Sequence, residues 1–198
     1  MKLVLATQNP KKLKEMNEIL SHLGVEVVSE AELGVRIEVE ETGETFTDNA
    51  RLKATAVMQA TGLPAVADDS GLCVDALNGG PGVYSARFGG EGLDDKGRYT
   101  LLLEMLRGQT DRAAHFHTSI VCAFPNGDEL VCEGECPGTI AFAPMGEGGF
   151  GYDPVFFVPE LRKTFGQLTA EEKASVSHRG KALRAFAAAL DEYLKGNE

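Results

Sequence analysis

Two adjacent carboxylates give this sequence its clearest chemical signal. Asp68 and Asp69 follow the apolar residues 64–67 and precede Ser70-Gly71. Buried carboxylates are costly unless they are paired, hydrogen-bonded or bound to a metal, so the pair suggests a bound cation. Because successive strand side chains point to opposite faces, we expect one of them to face a ligand and the other backbone or a basic partner. We predict a buried strand that stops at the carboxylates, then a tight turn at Ser70-Gly71; a plain surface turn is the alternative.

Lysines at a helix start form a second chemical group. The apolar strand 2–6 leads into Thr7-Gln8-Asn9-Pro10-Lys11-Lys12. Asn9 is a good N-cap and Pro10 is favoured at the first helical position, so a helix should begin there. A helix N-terminus binds anions, and Lys11 and Lys12 oppose the helix dipole, which favours a functional role over a stabilising one. Two solvated lysines are the alternative.

A glycine-rich loop supplies a third group. Residues 146–154 contain Phe150, Tyr152 and Asp153 among several glycines. This composition suggests a loop where a flat ring stacks and where an acidic edge accepts hydrogen bonds. Core aromatics beside a turn are the alternative, and Lys53, a helical residue on the same face as Asn49, could equally be a solvated side chain.

Periodicity and capping signals predict the elements that carry these groups. They are an exposed strand over 35–40, a helix from Thr47 or Asp48 to about Gly62, a helix from Asp94 or Asp95 to Gly108, a strand over 113–124 that a turn at Asn126-Gly127 joins to a strand over 129–134, short strands over 138–142 and 155–158, a short helix capped at Thr169 that holds Lys173, and a last helix opened by Ser177-His178-Arg179.

Composition limits the classes of function. The chain has 198 residues, of which 43% are hydrophobic, and is expected to form a single domain over 1–198. A net charge of −11 argues against nucleic acid or an anionic membrane as a bulk partner. The four cysteines lack zinc-ligand spacing and are expected to be buried, reduced thiols. With no apolar stretch of spanning length and no signal peptide, we expect a cytoplasmic protein.

Together these groups point to a nucleoside polyphosphate. Glu40, Asp68 and Asp69 could hold Mg²⁺, which binds through one or two carboxylates and substrate phosphates. Cationic side chains could neutralise the phosphates, namely Lys12, Lys53, Lys173 and Arg179. The aromatic loop could receive the base. Neither a P-loop nor a dinucleotide-binding glycine motif is present in the sequence.

Seven motifs in order resemble those of the inosine triphosphate pyrophosphatase family, which hydrolyses non-standard purine nucleoside triphosphates. They are Thr7-Gln8-Asn9-Pro10-Lys11-Lys12, Glu40-Glu41-Thr42-Gly43, Phe46-Thr47-Asp48-Asn49-Ala50 with Lys53, Ala67-Asp68-Asp69-Ser70-Gly71-Leu72, Pro81-Gly82-Val83-Tyr84-Ser85-Ala86-Arg87, Gly148-Gly149-Phe150-Gly151-Tyr152-Asp153-Pro154 and Ser177-His178-Arg179-Gly180. They span nearly the whole chain. Many members have a glycine where this chain has Gln8.

The resemblance implies an α/β fold, in which a long, twisted, mixed sheet with flanking helices forms two lobes around a central cleft. It also implies a homodimer that uses Mg²⁺ to cleave ITP, dITP or XTP to the monophosphate and pyrophosphate. Glu40 and Asp69 match the metal positions, and Asp69 also matches the proton acceptor. Phosphate-side contacts match Thr7 to Lys12, Lys53 and Ser70. The nucleotide and base pocket matches Phe150, Gly151, Tyr152, Asp153, Lys173, His178 and Arg179.

One carboxylate cannot easily ligate the metal and accept the proton at once. A second metal-bound water or a division of labour with Asp68 would resolve this, and the residues leave both open. Rival functions are a septum-inhibitor-like pyrophosphatase for pyrimidine or modified nucleotides, a nucleotide-sensing module without turnover, and a general Mg²⁺ phosphatase. The Ser177-His178-Arg179-Gly180 ending argues against the first, and the intact Glu40, Asp68 and Asp69 argue against the second.

Overall fold

The computed structural model describes residues 1–7 and 9–196 and has an α/β architecture. Its strands are β1 (Lys2–Leu5), β2 (Glu26–Ser29), β3 (Ala65–Val74), β4 (Ala113–Ala123), β5 (Glu129–Ile140), β6 (Phe156–Val158) and β7 (Lys163–Thr164). Its helices are α1 (Pro10–Leu20), α2 (Phe46–Thr61), α3 (Asp95–Met105), α4 (Ala170–Val176) and α5 (His178–Gly196).

The strands form one mixed sheet in the order β2-β1-β3-β4-β5-β6-β7. β1 pairs in parallel with β2 and β3, whereas β6 pairs antiparallel with β5 and β7. This confirms the expected α/β class with a mixed sheet and flanking helices. In the part of the chain that the structure describes, no helix combines the length and apolarity that crossing a membrane requires.

The chain divides into two compact units built from interleaved segments. Unit 1 takes Met1–Asp69, Thr118–Gly134 and Lys181–Glu198, and unit 2 takes Ser70–His117 and Glu135–Gly180. In unit 1, apolar side chains of α1 and α5 pack against β1, with Met16, Leu20 and Phe186 fully buried. That a single domain covers 1–198 stays a prediction.

Unit 2 has an aromatic core. The Phe116 ring lies 4.7 Å from that of Phe156 and 5.7 Å from that of Phe165, between ring centroids. His178 also stacks on this group, with its ring centroid 4.7 Å from that of Phe116. Such contacts contribute about 0.5–1.5 kcal/mol each beyond the buried area. They anchor the start of α5 within unit 2.

Local capping signals predicted the helix starts well, with one shift. Asn9 caps α1 through a hydrogen bond from the Lys11 N–H, and Asp94 caps α3. The capping box at Thr169 opens α4 as expected. For α2, however, the cap is Thr45, whose hydroxyl accepts the Asp48 N–H, so the helix begins earlier than predicted.

Three strand predictions were wrong in detail. β3 does not stop at Asp68 and Asp69 but continues to Val74, and no turn follows at Ser70-Gly71. Residues 35–40 form no strand, although Val35, Ile37 and Val39 are half-buried in the expected alternation. The strands predicted over 129–134 and 138–142 are one strand, β5, which ends at Ile140. Each error depends on how a segment pairs with a neighbouring strand, and the sequence of that segment alone does not contain this information.

Candidate active site

The two central carboxylates of β3 have different partners, as the alternation of strand side chains predicted. Asp68 is buried, and its Oδ2 accepts a hydrogen bond from Lys12 Nζ at 2.8 Å. Asp69 is half-buried and faces α2, where Asn49 Nδ2 lies 3.3 Å from its Oδ2 and Lys53 Nζ lies 3.6 Å from its Oδ1. The two neighbouring residues therefore anchor two different helices of unit 1.

Lys53 lies at the centre of a group of charged side chains in unit 1, whose other members are Lys12, Glu41, Asp68 and Asp69. Its Nζ donates to Glu41 Oε1 and to the backbone carbonyl of Asp68, both at 2.8 Å. Burial disfavours its charge, but the attraction of Asp69 and Glu41 outweighs burial, so the pKa of Lys53 is raised. Lys53 thus stays protonated and is able to face an anion.

Negative charge exceeds positive charge in this group. The carboxylates of Glu41, Asp68 and Asp69 lie against the ammonium groups of Lys12 and Lys53. Burial raises the pKa of Asp69, and the charges of Glu41 and Asp68 raise it further, while Lys53 and Asn49 lower it. A cation held here would relieve this repulsion.

The acidic donors fit a metal that takes few protein ligands. Among the described residues, no group of three or more His, Cys, Asp or Glu side chains is arranged to hold a metal ion by itself. Mg²⁺ needs only one or two carboxylates when phosphates and water supply the rest. This suits Asp69 with one carboxylate of residues 40–44, the acidic turn. In that turn Glu40 is exposed, and Glu41 is the residue that contacts Lys53. Asp68 is paired with Lys12, and the metal-binding roles of Glu40, Asp68 and Asp69 all stay predictions.

Side-chain hydrogen bonds connect the described residues around the start of α1. Thr7 Oγ1 accepts the Asn9 N–H at 3.2 Å, and Asn9 Oδ1 accepts the Lys11 N–H at 2.9 Å. Pro10 occupies the first turn, Lys11 is exposed, and Lys12 reaches Asp68. Of the predicted phosphate contacts in this segment, Gln8 lies outside the described residues. The others are held at the helix N-terminus, where an anion is favoured.

In unit 2 the glycine-rich loop forms a second charged site around Asp153. This buried carboxylate accepts the Phe150 N–H at 2.8 Å and a short hydrogen bond from Lys173 Nζ. Burial raises its pKa, although Lys173 lowers it. Gly149 must be glycine because its φ is +77° and a Cβ there would lie 1.9 Å from Asp153 Oδ2.

An exposed aromatic ring lies beside this pair. Phe150 is 75% exposed, and Lys173 Nζ lies 4.5 Å from its ring centroid. A large, exposed aromatic ring with a cation on one side is available to stack against a flat ligand. Of the predicted base-pocket residues, Phe150, Asp153 and Lys173 are therefore brought together.

Tyr152, unlike the exposed Phe150, is buried. Its hydroxyl donates to the Ser85 carbonyl at 2.7 Å, and burial raises its pKa to about 12. Gly151 is held by its N–H, which donates to Asp95 Oδ2 at 2.8 Å. Tyr152 and Asp95 thus fix the backbone that presents Phe150.

Three predicted residues remain, namely His178, Arg179 and Ser70. His178 stacks in the aromatic core of unit 2, and Arg179 follows it in the first turn of α5, half-buried. Ser70 is exposed on β3. Their predicted contacts with a nucleotide stay predictions.

Sequence reasoning assigned no site role to three residues that the structure places at these groups. Glu41 was passed over in favour of Glu40, and alternation along an irregular segment could not separate the two. Asn49 had a usable signal, since it lies one helical turn before Lys53. Asp95 had none beyond its place near a helix start, because it contacts Gly151 at a separation of 56 residues.

Comparisons with known proteins agree on one family. A model described as the Ham1 family matches residues 3–189. A protein of Exiguobacterium sp. named dITP/XTP pyrophosphatase is 50% identical over 196 residues, which cover 99% of this chain and 100% of that protein. A protein of the same name from Thermus thermophilus is 53% identical over 198 residues, which cover 99% of this chain and 93% of that protein.

Solved structures give the same result. The Ham1 protein of Staphylococcus aureus superimposes with a TM-score of 0.91 at 41% identity, and all of both chains is covered. A HAM1 protein from Coxiella burnetii gives a TM-score of 0.93 at 43% identity, covering 97% of this chain and 99% of the other. Both likenesses extend over essentially the whole fold.

Proposed function

The chain belongs to the Ham1 family, and we propose that it hydrolyses non-standard purine nucleoside triphosphates (dITP, XTP and ITP) to the monophosphate and pyrophosphate. The family match agrees with the resemblance read from the seven motifs. The relatives named dITP/XTP pyrophosphatase supply the substrate class. The structural observation on which the proposal rests is a cluster of charged side chains. It consists of Asp69, Lys53 and Glu41 and lies beside the Asp68–Lys12 pair.

This cluster suits attack of water on a phosphoanhydride. Such a reaction needs neutralised phosphate charge, a positioned water and a group that takes the water's proton. Lys12 and Lys53 supply positive charge, and of the two adjacent carboxylates of β3, Asp69 is the one that is not buried. We assign the proton to Asp69, because Asp68 already accepts from Lys12.

We further propose that the enzyme depends on Mg²⁺. Asp69 would hold it together with Glu40, as the family resemblance implies, or with Glu41, which the contacts with Lys53 place in the same cluster. When bound, Mg²⁺ neutralises phosphate oxygens and acidifies a coordinated water. Lys53, which now donates to Glu41, would turn to a phosphate oxygen when substrate enters.

The base is assigned to the group in unit 2. The exposed ring of Phe150 offers a stacking face, and the Asp153–Lys173 pair offers a charged edge. Hypoxanthine and xanthine present a 6-oxo group, which would accept a hydrogen bond from a donor such as Lys173 or Arg179. Adenine has a 6-amino group at this position, which would place a donor against a donor. A buried mismatch of this kind costs about 1–3 kcal/mol, or one to two decades of discrimination. GTP, which shares the 6-oxo group, should be cleaved measurably but poorly.

Product analysis tests the proposal. The protein would be incubated with XTP, dITP, GTP and ATP, with and without Mg²⁺, while pyrophosphate and orthophosphate are measured separately. We expect Mg²⁺-dependent pyrophosphate from XTP and dITP. Orthophosphate would instead indicate a general phosphatase, and binding without turnover a nucleotide sensor. A GTP rate equal to that for XTP would contradict the base assignment. The homodimer and the cytoplasmic location stay predictions.

A further inference from the structure

Asn49 connects the acidic turn of unit 1 to the carboxylate of Asp69. Its side chain is completely buried on α2. The Oδ1 atom accepts the Gly43 N–H at 2.8 Å, and the Nδ2 atom donates to Asp69 Oδ2 at 3.3 Å. Both ends of a single amide are therefore used, one on each of two segments that carry the proposed acidic groups.

The chemistry of the two partners selects an amide at this position. A backbone N–H requires an acceptor and a carboxylate requires a donor, so a side chain that satisfies both must offer one of each. The approach at Gly43 is also close, since a Cβ there would lie 2.7 Å from Asn49 Oδ1. Asn49 thus sets the distance between α2 and the acidic turn.

Lys53 and Asn49 divide the two oxygens of Asp69 between them. Asn49 faces Oδ2, while Lys53, one helical turn later, faces Oδ1 at 3.6 Å. Lys53 also has Glu41 and the Asp68 carbonyl as partners, so its position alone does not determine how the Asp69 carboxylate is rotated. A short, buried side chain with few rotamers determines that rotation better than a long, flexible one.

We propose that Asn49 is a positioning residue, which orients the Asp69 carboxylate relative to the acidic turn during hydrolysis. The inference rests on the proposed function. It assigns to Asn49 no contact with substrate. A role confined to holding the turn at Gly43 is the competing explanation, and a pair of variants separates the two.

Asn49→Asp keeps the size of the side chain and the acceptor for Gly43, but it replaces the donor to Asp69 with a like charge. Asn49→Ala removes both contacts. Asn17 provides the matched control, because its amide bonds to the Val27 backbone, at 3.0 and 3.2 Å, within the same unit. Asn17→Ala should therefore lower thermal stability and leave kcat unchanged.

Steady-state kinetics with XTP is the experiment. We expect both Asn49 variants to lower kcat by roughly 10- to 100-fold with KM changed by less than about threefold, as for a misplaced reacting group. An Asn49→Asp variant with wild-type kcat would overturn the inference, since the turn contact alone would then suffice. Thermal unfolding in parallel identifies a variant that has not folded.

If Asn49→Asp does not fold, a double-mutant cycle tests the role of Asn49 instead. When Asn49→Ala is added to Asp69→Asn, the residual rate should fall by less than about twofold, because the group that Asn49 orients is already gone. Multiplying losses would overturn the inference. Wild-type protein that releases no pyrophosphate from XTP or dITP would overturn the proposed function and this inference with it. An active wild type with unaffected Asn49 variants would overturn only the inference about Asn49.

Discussion

Each unit contains an aspartate–lysine pair, and the two pairs have different surroundings. In unit 1, Lys53 faces Asp69 with a second carboxylate, Glu41, at hydrogen-bond distance. In unit 2, Lys173 binds Asp153, and its other near neighbours are the rings of Phe150 and Phe165. The same two residue types thus lie in an acidic environment in one unit and in an aromatic environment in the other.

The neighbours decide what each pair can do. Burial raises the pKa of both Asp69 and Asp153, and in both cases the lysine opposes the rise. Around Asp69 the further carboxylates create a demand for positive charge, which suits a metal and phosphate chemistry. Around Asp153 the cation lies over an exposed ring, which suits a flat heterocycle.

The largest expected effect separates the two aspartates. Asp69→Asn should lower kcat for XTP by about 10³-fold, because it removes the proposed proton acceptor. Asp153→Asn should mainly raise KM, since its site is assigned to the base. Initial rates of pyrophosphate release across a range of XTP concentrations measure both. If Asp153→Asn lost as much kcat as Asp69→Asn, the two pairs would not divide chemistry and base binding between them.

A smaller effect is expected at the aromatic side of unit 2. Phe150→Leu should raise KM for XTP about five- to tenfold, because stacking of a base on an aromatic ring is worth about 1–3 kcal/mol. The melting temperature should hardly change, because the ring is 75% exposed. Phe142→Leu is the control, as Phe142 is 81% exposed and contacts Arg112 instead of Lys173. Equal KM values for the two variants would argue against stacking at Phe150.

A weaker effect on KM is expected when the hydrogen bond that holds the glycine-rich loop at Gly151 is removed. Asp95→Ala removes the acceptor for the Gly151 N–H and should raise KM about threefold with kcat unchanged, since one exposed hydrogen bond contributes about 0.5–1.5 kcal/mol. The neighbouring Asp94 caps α3 through Gly97. Asp94→Ala should lower stability by about 1 kcal/mol and leave KM unchanged. A kinetic effect of Asp94→Ala as large as that of Asp95→Ala would show that α3 as a whole, and not this contact, supports the loop.

The smallest effect concerns stability and pH. Because the pKa of Asp153 is raised in the folded state, the folded protein binds this proton more readily than the unfolded chain does. Between the ordinary aspartate pKa, about 3.9, and the raised one, its contribution to the free energy of unfolding should decrease as pH rises. Urea unfolding of wild type and Asp153→Asn from about pH 4 to about pH 8 measures the difference. A contribution that increased with pH would mean that Lys173 outweighs burial.

The parts of the site that were predictable have local causes. The start of α1 at Asn9-Pro10 and the start of α4 at Thr169 follow from side chains that satisfy the first backbone N–H groups of the same helix. The placement of Asn49 and Lys53 on one face follows from the period of the helix. Different partners for Asp68 and Asp69 follow from the alternation of a strand.

The sequence by itself determined the helix caps, the order of the seven motifs and the residue types available for chemistry, because each depends on residues close together along the chain, and the resemblance carried by those motifs implied the α/β class. Only the tertiary structure decided the extension of β3 beyond Asp69, the choice of Glu41 over Glu40 as the partner of Lys53, and the burial of Tyr152. It also decided that Asn49 meets Asp69 and that Asp95 meets Gly151. These outcomes depend on which distant segments pack together, and hydrogen bonds and charge pairs between such segments leave no periodic trace in the sequence.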